Sequence, residues 1–402
     1  MIAGSSRVLP SAHAESVMAA CLDREEAAVK AWEGRTFDEA AALASGGLVL
    51  YGAGGVGRLA LEALMRRGLA PLAYSDGDSK RWGSEVAGVP VLPPAVAAER
   101  FGAKAAFVVT IWNRSHRFEE TRAVLAAIGC RCVVSCAALF YQYPEGCLPY
   151  YAMDLPHRLV REATNIRKAF SLWNDEESRR EFLNELRWRM DLDFSDILPR
   201  PAAEQYFAVD LFRLGREEVF IDCGAYDGDT LKPFLALTGG CFQRVIAYEP
   251  DPRNHGRLKS YRNELPAKIA AKIDIQRAAV GARREILRFN ADGLESSALD
   301  PAGGKVVESR PLDDWLGAIR PTYIKMDIEG AELDALQGGE RLIRESSPTL
   351  AVCVYHRPSH FWEIPLWLAA LPCGYRLYLR RYAEVPWDLV CYAVPVDREA
   401  PP

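Results

Sequence analysis

The chain has 402 residues, of which 49% are hydrophobic and 26% are charged, and its formal net charge is −5. The length predicts two domains rather than one core, and the negative charge excludes the strong basic field that is typical of nucleic-acid-binding proteins. No apolar run approaches the ~18 residues that a membrane span needs. Because the first residues lack a basic segment followed by an apolar run and the ten cysteines are scattered, we expect a reduced, cytoplasmic protein without a membrane partner.

The first part of the chain predicts a helical segment followed by an α/β domain. Residues 1–45 are rich in Ala and Glu and predict helices. From Leu48, strand and helix patterns alternate, beginning with "LVLYG", "GRLALEALMRRG" and "APLAYSD" and ending with "RCVVS". Such alternation is typical of parallel β-α-β units. We therefore expect a Rossmann-like domain at residues 46–148.

The second part of the chain repeats this architecture after a helical connector. Residues 149–215 carry helical patterns interrupted by prolines and predict a connector or cap. From residue 216 strand patterns return, and the last two, "RLYLRRY" and "LVCYAVP", have no helix pattern between them. These two strands are therefore expected to pair antiparallel. The predicted fold class is α/β with two Rossmann-like domains, the second at residues 216–402.

The first glycine-rich turn matches G-x-G-x-x-G at Gly52, Gly54 and Gly57, between a predicted strand and a predicted helix. Asp76 ends the next predicted strand, where a ribose-binding acid lies in dinucleotide folds. The amino end of the helix could hold a pyrophosphate. The motif predicts a second nucleotide site, and the alternative is a scaffold that packs, dimerises or docks a partner.

The second glycine-rich turn, "FIDCGAYDGDT", has the same strand-to-helix context but carries acids. Asp222, Asp227 and Asp229 surround Gly224 and Gly228. These carboxylates would repel a phosphate and suit a cationic or hydroxyl-rich ligand. S-adenosylmethionine fits that chemistry, because it carries an ammonium, a sulfonium and a ribose but no phosphate.

Glu249 ends the strand after this turn, 27 residues beyond Asp222. A carboxylate at that position can accept hydrogen bonds from both ribose hydroxyls. In "GLESSAL", Ser296 and Ser297 are candidate donors to the cofactor or the substrate. The predicted cofactor-binding residues are Asp222, Gly224, Ala225, Gly228, Thr230, Glu249 and Ser297.

A third motif, "YIKMDIEGAELD", predicts a strand with Lys325 and Asp327 on one face at its carboxyl end. Asp327 could hold the cofactor ammonium, steer the acceptor hydroxyl, or bind Mg²⁺ together with Glu329 and Glu332. Alternatively, the two glutamates only stabilise a helix amino terminus. His356 ends another buried strand, where it is either a general base or a hydrogen-bonded structural residue. The predicted catalytic residues are His356, Asp327 and Lys325.

These motifs carry a family resemblance. "FIDCGAYDGDT", "YEPDPRN", "GLESSAL" and "YIKMDIEGAELDALQGG" together resemble the FkbM family of S-adenosylmethionine-dependent O-methyltransferases, over about residues 200–395. The resemblance implies the seven-stranded class I methyltransferase sheet with an antiparallel last strand, and methyl transfer to a hydroxyl, but it does not fix the acceptor. A small-molecule or glycan-type acceptor is expected, and its sugar part rests only on the N-terminal segment. The resemblance also implies that Asp222, Gly224 and Gly228 form the first cofactor motif and that Glu249 binds the ribose.

The N-terminal segment "GLAPLAYSDGDSKRWGSEVAGVPVLPP" resembles the Rossmann-like domains attached to some sugar-modifying enzymes, which implies a nucleotide-sugar as a candidate partner. The alternative function is a nucleotide-sugar-binding or sensing protein whose C-terminal domain binds S-adenosylmethionine without turnover. A homo-oligomer is left open by the sequence.

Overall fold

The computed structural model describes residues 11–289, 304–384 and 387–400. Contacts divide the chain into two compact units. The N-terminal unit comprises Met1–Arg167, Arg179–Pro199 and Ala383–Trp387, and the C-terminal unit comprises Lys168–Ser178, Arg200–Tyr382 and Asp388–Pro402. Within the described ranges, no helix is both long and apolar enough to cross a membrane. The domain boundaries inferred from the sequence stay predictions.

The N-terminal unit opens with helices and continues as an alternating α/β sheet. Its elements are α1 (Ser11–Leu22), α2 (Glu26–Glu33), α3 (Thr36–Ala40), β1 (Leu48–Tyr51), α4 (Gly55–Arg66), β2 (Ala73–Ser75), β3 (Glu85–Val86), β4 (Val89–Leu92), α5 (Pro94–Phe101), β5 (Ala106–Val109), α6 (Phe118–Ala127), β6 (Cys132–Ser135) and α7 (Cys136–Gln142). The sheet order is β3-β4-β2-β1-β5-β6. All neighbouring strands are parallel except β3 and β4. The chain order of the parallel strands reverses between β1 and β5, which makes that boundary the topological switch point.

The residues between the two sheets form three helices, as the sequence patterns of the connector predict. These are α8 (Pro156–Arg161), α9 (Ala163–Phe170) and α10 (Glu176–Asp191).

The C-terminal unit is built on a seven-stranded sheet in the order β15-β16-β14-β13-β7-β8-β9. The elements are β7 (Val219–Cys223), α11 (Leu231–Thr238), β8 (Arg244–Tyr248), α12 (Pro252–Glu264), α13 (Ala267–Ala270), β9 (Ile273–Gln276), β10 (Ala279–Val280), β11 (Glu285–Phe289), β12 (Lys305–Arg310), β13 (Tyr323–Met326), α14 (Glu332–Gln337), α15 (Glu340–Ser346), β14 (Thr349–Cys353), α16 (His360–Ala370), β15 (Tyr375–Arg381) and β16 (Leu389–Pro395). The strands β10, β12 and β11 form a separate small sheet.

The strand directions confirm the predicted fold class. Strand β16 is antiparallel to both β14 and β15, and the other neighbouring strands of the large sheet are parallel. The antiparallel pairing of the last two strands was expected because no helix separates them in sequence. The α/β class and the seven-stranded methyltransferase-type sheet are therefore confirmed.

The three central strands β7, β13 and β14 are buried along their whole length. Such strands are covered on both faces, which explains their nearly continuous apolar sequences. Two charged residues interrupt this pattern, Asp222 in β7 and Lys325 in β13, and the parallel register sets them opposite each other. A buried charge is costly without a partner. We therefore infer that this pair has a role other than packing the core.

Candidate active site

The candidate site lies where the order of the large sheet reverses, between β7 and β13. The chain proceeds from β7 outward to β8 and β9 on one side, and β13 and β14 lie on the other side. The carboxyl ends of parallel strands lie at one edge of a sheet, and ligands bind at the switch point of that edge. The carboxyl ends of β7, β8, β13 and β14 and the turns that follow them carry the predicted site residues that the structure describes, apart from those of the N-terminal unit.

The turn after β7 packs directly against the main chain after β13. A Cβ atom added to Gly224, whose φ is +83°, would lie 1.9 Å from the carbonyl oxygen of Asp327. The N–H groups of Gly224 and Ala225 both donate to the carbonyl of Tyr248, at 3.1 and 2.9 Å. Gly228 also has a positive φ, +96°. Only glycine fits at position 224, since any side chain would separate the two turns.

Asp222 is a fully buried carboxylate at the carboxyl end of β7. The ammonium of Lys325 lies 3.2 Å from its Oδ1, but no described residue gives either Asp222 oxygen a well-aligned hydrogen bond. Lys325 donates instead to the carbonyl of Gly224, at 2.6 Å. Burial raises the pKa of Asp222 to about 6 in spite of the lysine. The carboxylate therefore retains acceptor capacity that a ligand could use.

Lys325 is the buried cation of the site. Burial on its own would lower the lysine pKa, but Asp222, Asp327 and Asp229 together raise it above its ordinary value. The ammonium also lies 5.1 Å from the centre of the Tyr206 ring. Lys325 is thus held in its charged form and links the turn after β7 to the end of β13.

Glu249 is a second buried carboxylate, directly after β8. Its Oε2 accepts the N–H of Tyr226 at 2.9 Å, and its Oε1 accepts the N–H of Asp251 at 2.8 Å. Burial raises the pKa of Glu249 to about 8, although both N–H groups counteract the rise. Each carboxylate oxygen can accept a further hydrogen bond, so the residue is placed and oriented to receive two hydroxyl donors.

Asp327 lies at the end of β13 and is held by three neighbouring side chains. The Tyr206 hydroxyl donates to Asp327 Oδ2 at 2.6 Å, and the Tyr355 hydroxyl lies 3.4 Å from Oδ1. The His356 Nε2 atom lies 3.2 Å from the same Oδ1. Because the side chain is still 25% exposed, it is fixed on one side and accessible on the other.

His356 lies between carboxylates. Its Nδ1 is 2.7 Å from Glu332 Oε1, while its Nε2 faces Asp327. Burial on its own would lower the histidine pKa, but Glu332, Glu329 and Asp327 raise it well above its ordinary value. The geometry therefore favours the imidazolium, which donates from both nitrogens. The predicted role of His356 as a general base stays a prediction.

The neighbouring acids are held ionised by the same cluster. Burial would raise the pKa of Asp327, but His356, Lys325 and the Tyr206 hydroxyl hold it well below its usual range. Burial acts in the same direction on Glu332, whose pKa is held low by His356 and His360. The result is an alternation of negative and positive groups at the carboxyl edge of the sheet.

This alternation bears on the predicted metal site. Asp327, Glu332 and His356 offer atoms within 4.8 Å of one another that could ligate a metal, and Glu329 lies 3.8 Å from His356 Nε2. A histidine ligand must be neutral, and Mg²⁺ prefers oxygen ligands. The imidazolium already compensates these acids, so their charge does not require Mg²⁺.

Tyr206 is the site residue that sequence reasoning missed. It lies in "ILPRPAAEQYF", whose two prolines predict only a break between helices. Its φ is +68°, a strained value for a tyrosine. Three hydrogen bonds hold it there: its hydroxyl donates to Asp327, its N–H donates to the Tyr392 hydroxyl, and its carbonyl accepts from the Tyr323 hydroxyl. No periodicity or motif in the sequence predicts that Tyr206 contacts the site.

Of the remaining predicted cofactor-binding residues, some lie beside the candidate site and others lie outside the described residues. Ala225 and Thr230 lie in the turn after β7, and the buried Thr230 Oγ1 has no described hydrogen-bond partner. The predicted donors Ser296 and Ser297 lie outside the described residues.

The first glycine-rich turn, in the N-terminal unit, needs glycine for close packing at some of its positions but not at others. A Cβ atom on Gly57 would lie 2.0 Å from the carbonyl oxygen of Gly52, so helix α4 needs glycine to approach β1, whereas a Cβ on Gly54 meets nothing within 4 Å. Asp76 accepts the N–H of Ala53 at 2.8 Å through its Oδ2. The turn is tight at its ends and open at its centre, and its nucleotide ligand stays a prediction.

Comparisons with known proteins identify the C-terminal part of the chain. Residues 222–377 match the family model described as the methyltransferase FkbM domain, and no curated protein matches the chain. Among solved structures, the chain is similar to methyltransferase FkbM from Methylobacillus flagellatus KT, with 22% identity and a TM-score of 0.77 over 95% of this chain and 99% of that chain. An rRNA methylase from Streptococcus thermophilus matches with 11% identity and a TM-score of 0.31, over 49% of this chain and 96% of that chain.

The family match begins at Asp222 and includes Glu249, Lys325, Asp327 and His356, whereas Tyr206 lies before it. Residues 222–377 therefore match a methyltransferase FkbM domain, and the chain has the fold of a solved FkbM methyltransferase.

Proposed function

We propose that the protein is an S-adenosylmethionine-dependent methyltransferase that acts on a hydroxyl of a small-molecule or glycan-type acceptor. One observation carries the cofactor assignment. Two buried carboxylates lie at the carboxyl ends of adjacent strands at the switch point, Asp222 within β7 and Glu249 directly after β8, beside a turn that needs glycine at position 224. A ligand that fits must supply cations or hydroxyl donors rather than phosphates.

The residues present fit S-adenosylmethionine. Glu249 would hold the ribose hydroxyls, Asp222 and Asp327 would face the cationic end, and Gly224 lets the backbone approach closely. The acceptor capacity that Asp222 retains supports this fit. When bound, the cofactor supplies an electrophilic methyl group on a positively charged sulfur.

The protein contributes mainly by positioning. Holding reactants in line can lower a barrier by about 7–11 kcal/mol, and the site is rigid enough for this, because Tyr206 and His356 fix Asp327. The fixed, ionised Asp327 would accept a hydrogen bond from the acceptor hydroxyl or hold the cofactor ammonium. Because the Asp327 carboxylate can only accept hydrogen bonds, it favours a substrate with a hydroxyl group over one that cannot donate a hydrogen bond.

The proposal is tested by turnover. Purified protein is incubated with methyl-labelled S-adenosylmethionine and pools of hydroxyl compounds, and S-adenosylhomocysteine and labelled product are measured. We expect both to appear with at least one pool, and about 10²- to 10⁴-fold more slowly with an Asp327→Asn variant. Cofactor binding without turnover on any pool would contradict the enzyme assignment and favour the sensing alternative.

A Glu249→Gln variant should bind S-adenosylmethionine about 10- to 100-fold more weakly. The amide still accepts one hydrogen bond but loses the charge-assisted bond, which is worth about 1.5–3 kcal/mol. Calorimetric titration measures the affinity, with Glu264→Gln, an exposed glutamate of α12, as the matched control. Wild-type affinity in Glu249→Gln would remove Glu249 from the site.

The pH dependence of binding should report on the same residue. The ionised carboxylate binds the ribose, and since burial raises the pKa of Glu249 to about 8, binding below pH ~8 must release a proton. Affinity should therefore rise with pH up to about 8 and level off above it. Without ligand, the raised pKa means that this group's contribution to stability falls between pH 4.5 and about 8. In Glu249→Gln the affinity profile should lose this rise.

A further inference from the structure

Lys325 and Asp327 carry opposite charges at the end of β13, yet no ion pair joins these two described side chains. Alternate residues of a strand share a face, and opposite charges at the edge of a buried sheet attract each other. The ammonium of Lys325 instead lies 3.2 Å from Asp222 Oδ1, and Asp327 Oδ1 lies 3.2 Å from His356 Nε2. Other contacts therefore hold the two side chains apart.

Tyr206 lies beside both of them. Its hydroxyl donates to Asp327 Oδ2 at 2.6 Å, and its ring centre lies 5.1 Å from Lys325 Nζ. Cys353 Sγ is 3.6 Å from the same hydroxyl, but a thiol is a weak hydrogen-bonding group, so the carboxylate is the main partner. The tyrosine thus gives the carboxylate a donor other than Lys325 and gives the ammonium an aromatic neighbour.

The consequence is that Lys325 serves the turn after β7. Its ammonium donates to the carbonyl of Gly224 at 2.6 Å and faces Asp222. The side chain of Asp327, in contrast, is 25% exposed. A direct ion pair with Lys325 would draw this carboxylate towards the buried ammonium and take up an oxygen that a reactant could use.

Tyr206 is itself held in one place. Its φ is +68° and its side chain is buried. Its N–H donates to the Tyr392 hydroxyl at 3.0 Å, and its carbonyl accepts from the Tyr323 hydroxyl. A positive φ is strained for a tyrosine and persists only where the surrounding contacts enforce it. The phenol is therefore fixed relative to the end of β13.

A purely structural role accounts for less of this geometry. The next residue, Phe207, already anchors the segment to the core, because its ring packs against those of Phe220, Phe234 and Tyr323. The Tyr206 hydroxyl adds a contact with a partly exposed carboxylate. Such a contact orients the carboxylate and fills no space in the core.

We propose that Tyr206 is a positioning residue of the methyl-transfer site, which holds the Asp327 carboxylate away from Lys325 and so keeps it available to the reactants. The inference rests on the proposed function, because it concerns the same site. Since Tyr206 precedes residues 222–377, which match the family model, the site is completed by a segment that lies before that match.

A double-mutant cycle on the full-length protein tests the proposal, with single-turnover release of S-adenosylhomocysteine as the readout. Tyr206→Phe keeps the ring and removes the hydroxyl, and it should be about 10- to 100-fold slower than wild type, the effect of losing one hydrogen bond to a charged group. In the Asp327→Asn background the same change should cost less than about 3-fold, because Tyr206 acts through the charge of Asp327.

Two further variants complete the experiment. Tyr206→Leu also removes the ring beside Lys325 and should be about 2- to 5-fold slower than Tyr206→Phe. Tyr375→Phe is the matched control, because it loses a hydrogen bond to the carbonyl of Pro348 in the same unit, and it should turn over as wild type. Urea unfolding establishes that each variant is folded under the assay conditions.

Wild-type turnover in Tyr206→Phe would overturn the inference, and so would equal losses from Tyr206→Phe in the wild-type and Asp327→Asn backgrounds, since additive losses indicate a general structural effect. A wild-type protein that binds S-adenosylmethionine but releases no S-adenosylhomocysteine would contradict the proposed function instead. In that case the same cycle is measured on cofactor affinity by calorimetry, where additive losses or no loss overturn the role of Tyr206.

Discussion

An Asp327→Asn variant should bind S-adenosylmethionine about 10- to 100-fold more weakly and turn over about 10²- to 10⁴-fold more slowly than wild type. The substitution keeps the shape of the side chain and one acceptor for the Tyr206 hydroxyl, but it removes the charge. Loss of a charge-assisted contact accounts for the weaker binding. Loss of an anion that orients the acceptor hydroxyl accounts for the slower turnover.

Calorimetry gives the affinity of this variant, and single-turnover release of S-adenosylhomocysteine gives the rate. Asp334→Asn is the matched control, because Asp334 lies in the first turn of α14 and is exposed. Reduced turnover with unchanged cofactor affinity would place Asp327 on the acceptor alone. Wild-type values for both would remove Asp327 from the mechanism.

The placement of the site could be predicted because it follows from strand ends. Acids and glycines that end buried parallel strands must meet at one edge of the sheet, and this is where Asp222, Gly224 and Glu249 lie. The close approach of Gly224 to the Asp327 carbonyl gives the physical reason for the spacing of the motif. The antiparallel last pair was predictable for a comparable reason, the absence of a helix pattern before β16.

The partners of the site residues could not be predicted, because they come from distant parts of the chain. Tyr206 reaches Asp327 from a segment 121 residues earlier, and its positive φ has no signature in the sequence. The charge state of His356 depends on Glu332 and Glu329 approaching it in three dimensions. From the sequence, a histidine after a strand was compatible with a general base or with a structural residue. The number of carboxylates near the imidazole distinguishes the two roles, and the sequence does not give that number.

His356→Gln should lower the free energy of unfolding by about 3–5 kcal/mol at neutral pH. Removing one partner of a buried ion cluster leaves the other charges uncompensated, here Asp327, Glu329 and Glu332. Because the folded-state pKa of His356 is raised well above its ordinary value of 6.5, its stabilisation is fully present below pH ~6.5 and is lost as the pH rises through the folded-state value. Wild-type stability should thus decline on the alkaline side, and the variant should lack this contribution to the decline.

Urea unfolding at a series of pH values measures this difference, with His255→Gln, a partly exposed histidine of the same unit, as the control. The result separates the two roles of His356. A general base would show near-wild-type stability in the glutamine variant and about 10²- to 10⁴-fold slower turnover, with wild-type turnover falling as the histidine is protonated. A positioning imidazolium would show the loss of stability, weaker cofactor binding through a displaced Asp327, and no fall in wild-type turnover as the pH drops through 6.5. If stability and turnover of the variant both match wild type, the ion cluster around His356 neither supports the fold nor orients Asp327.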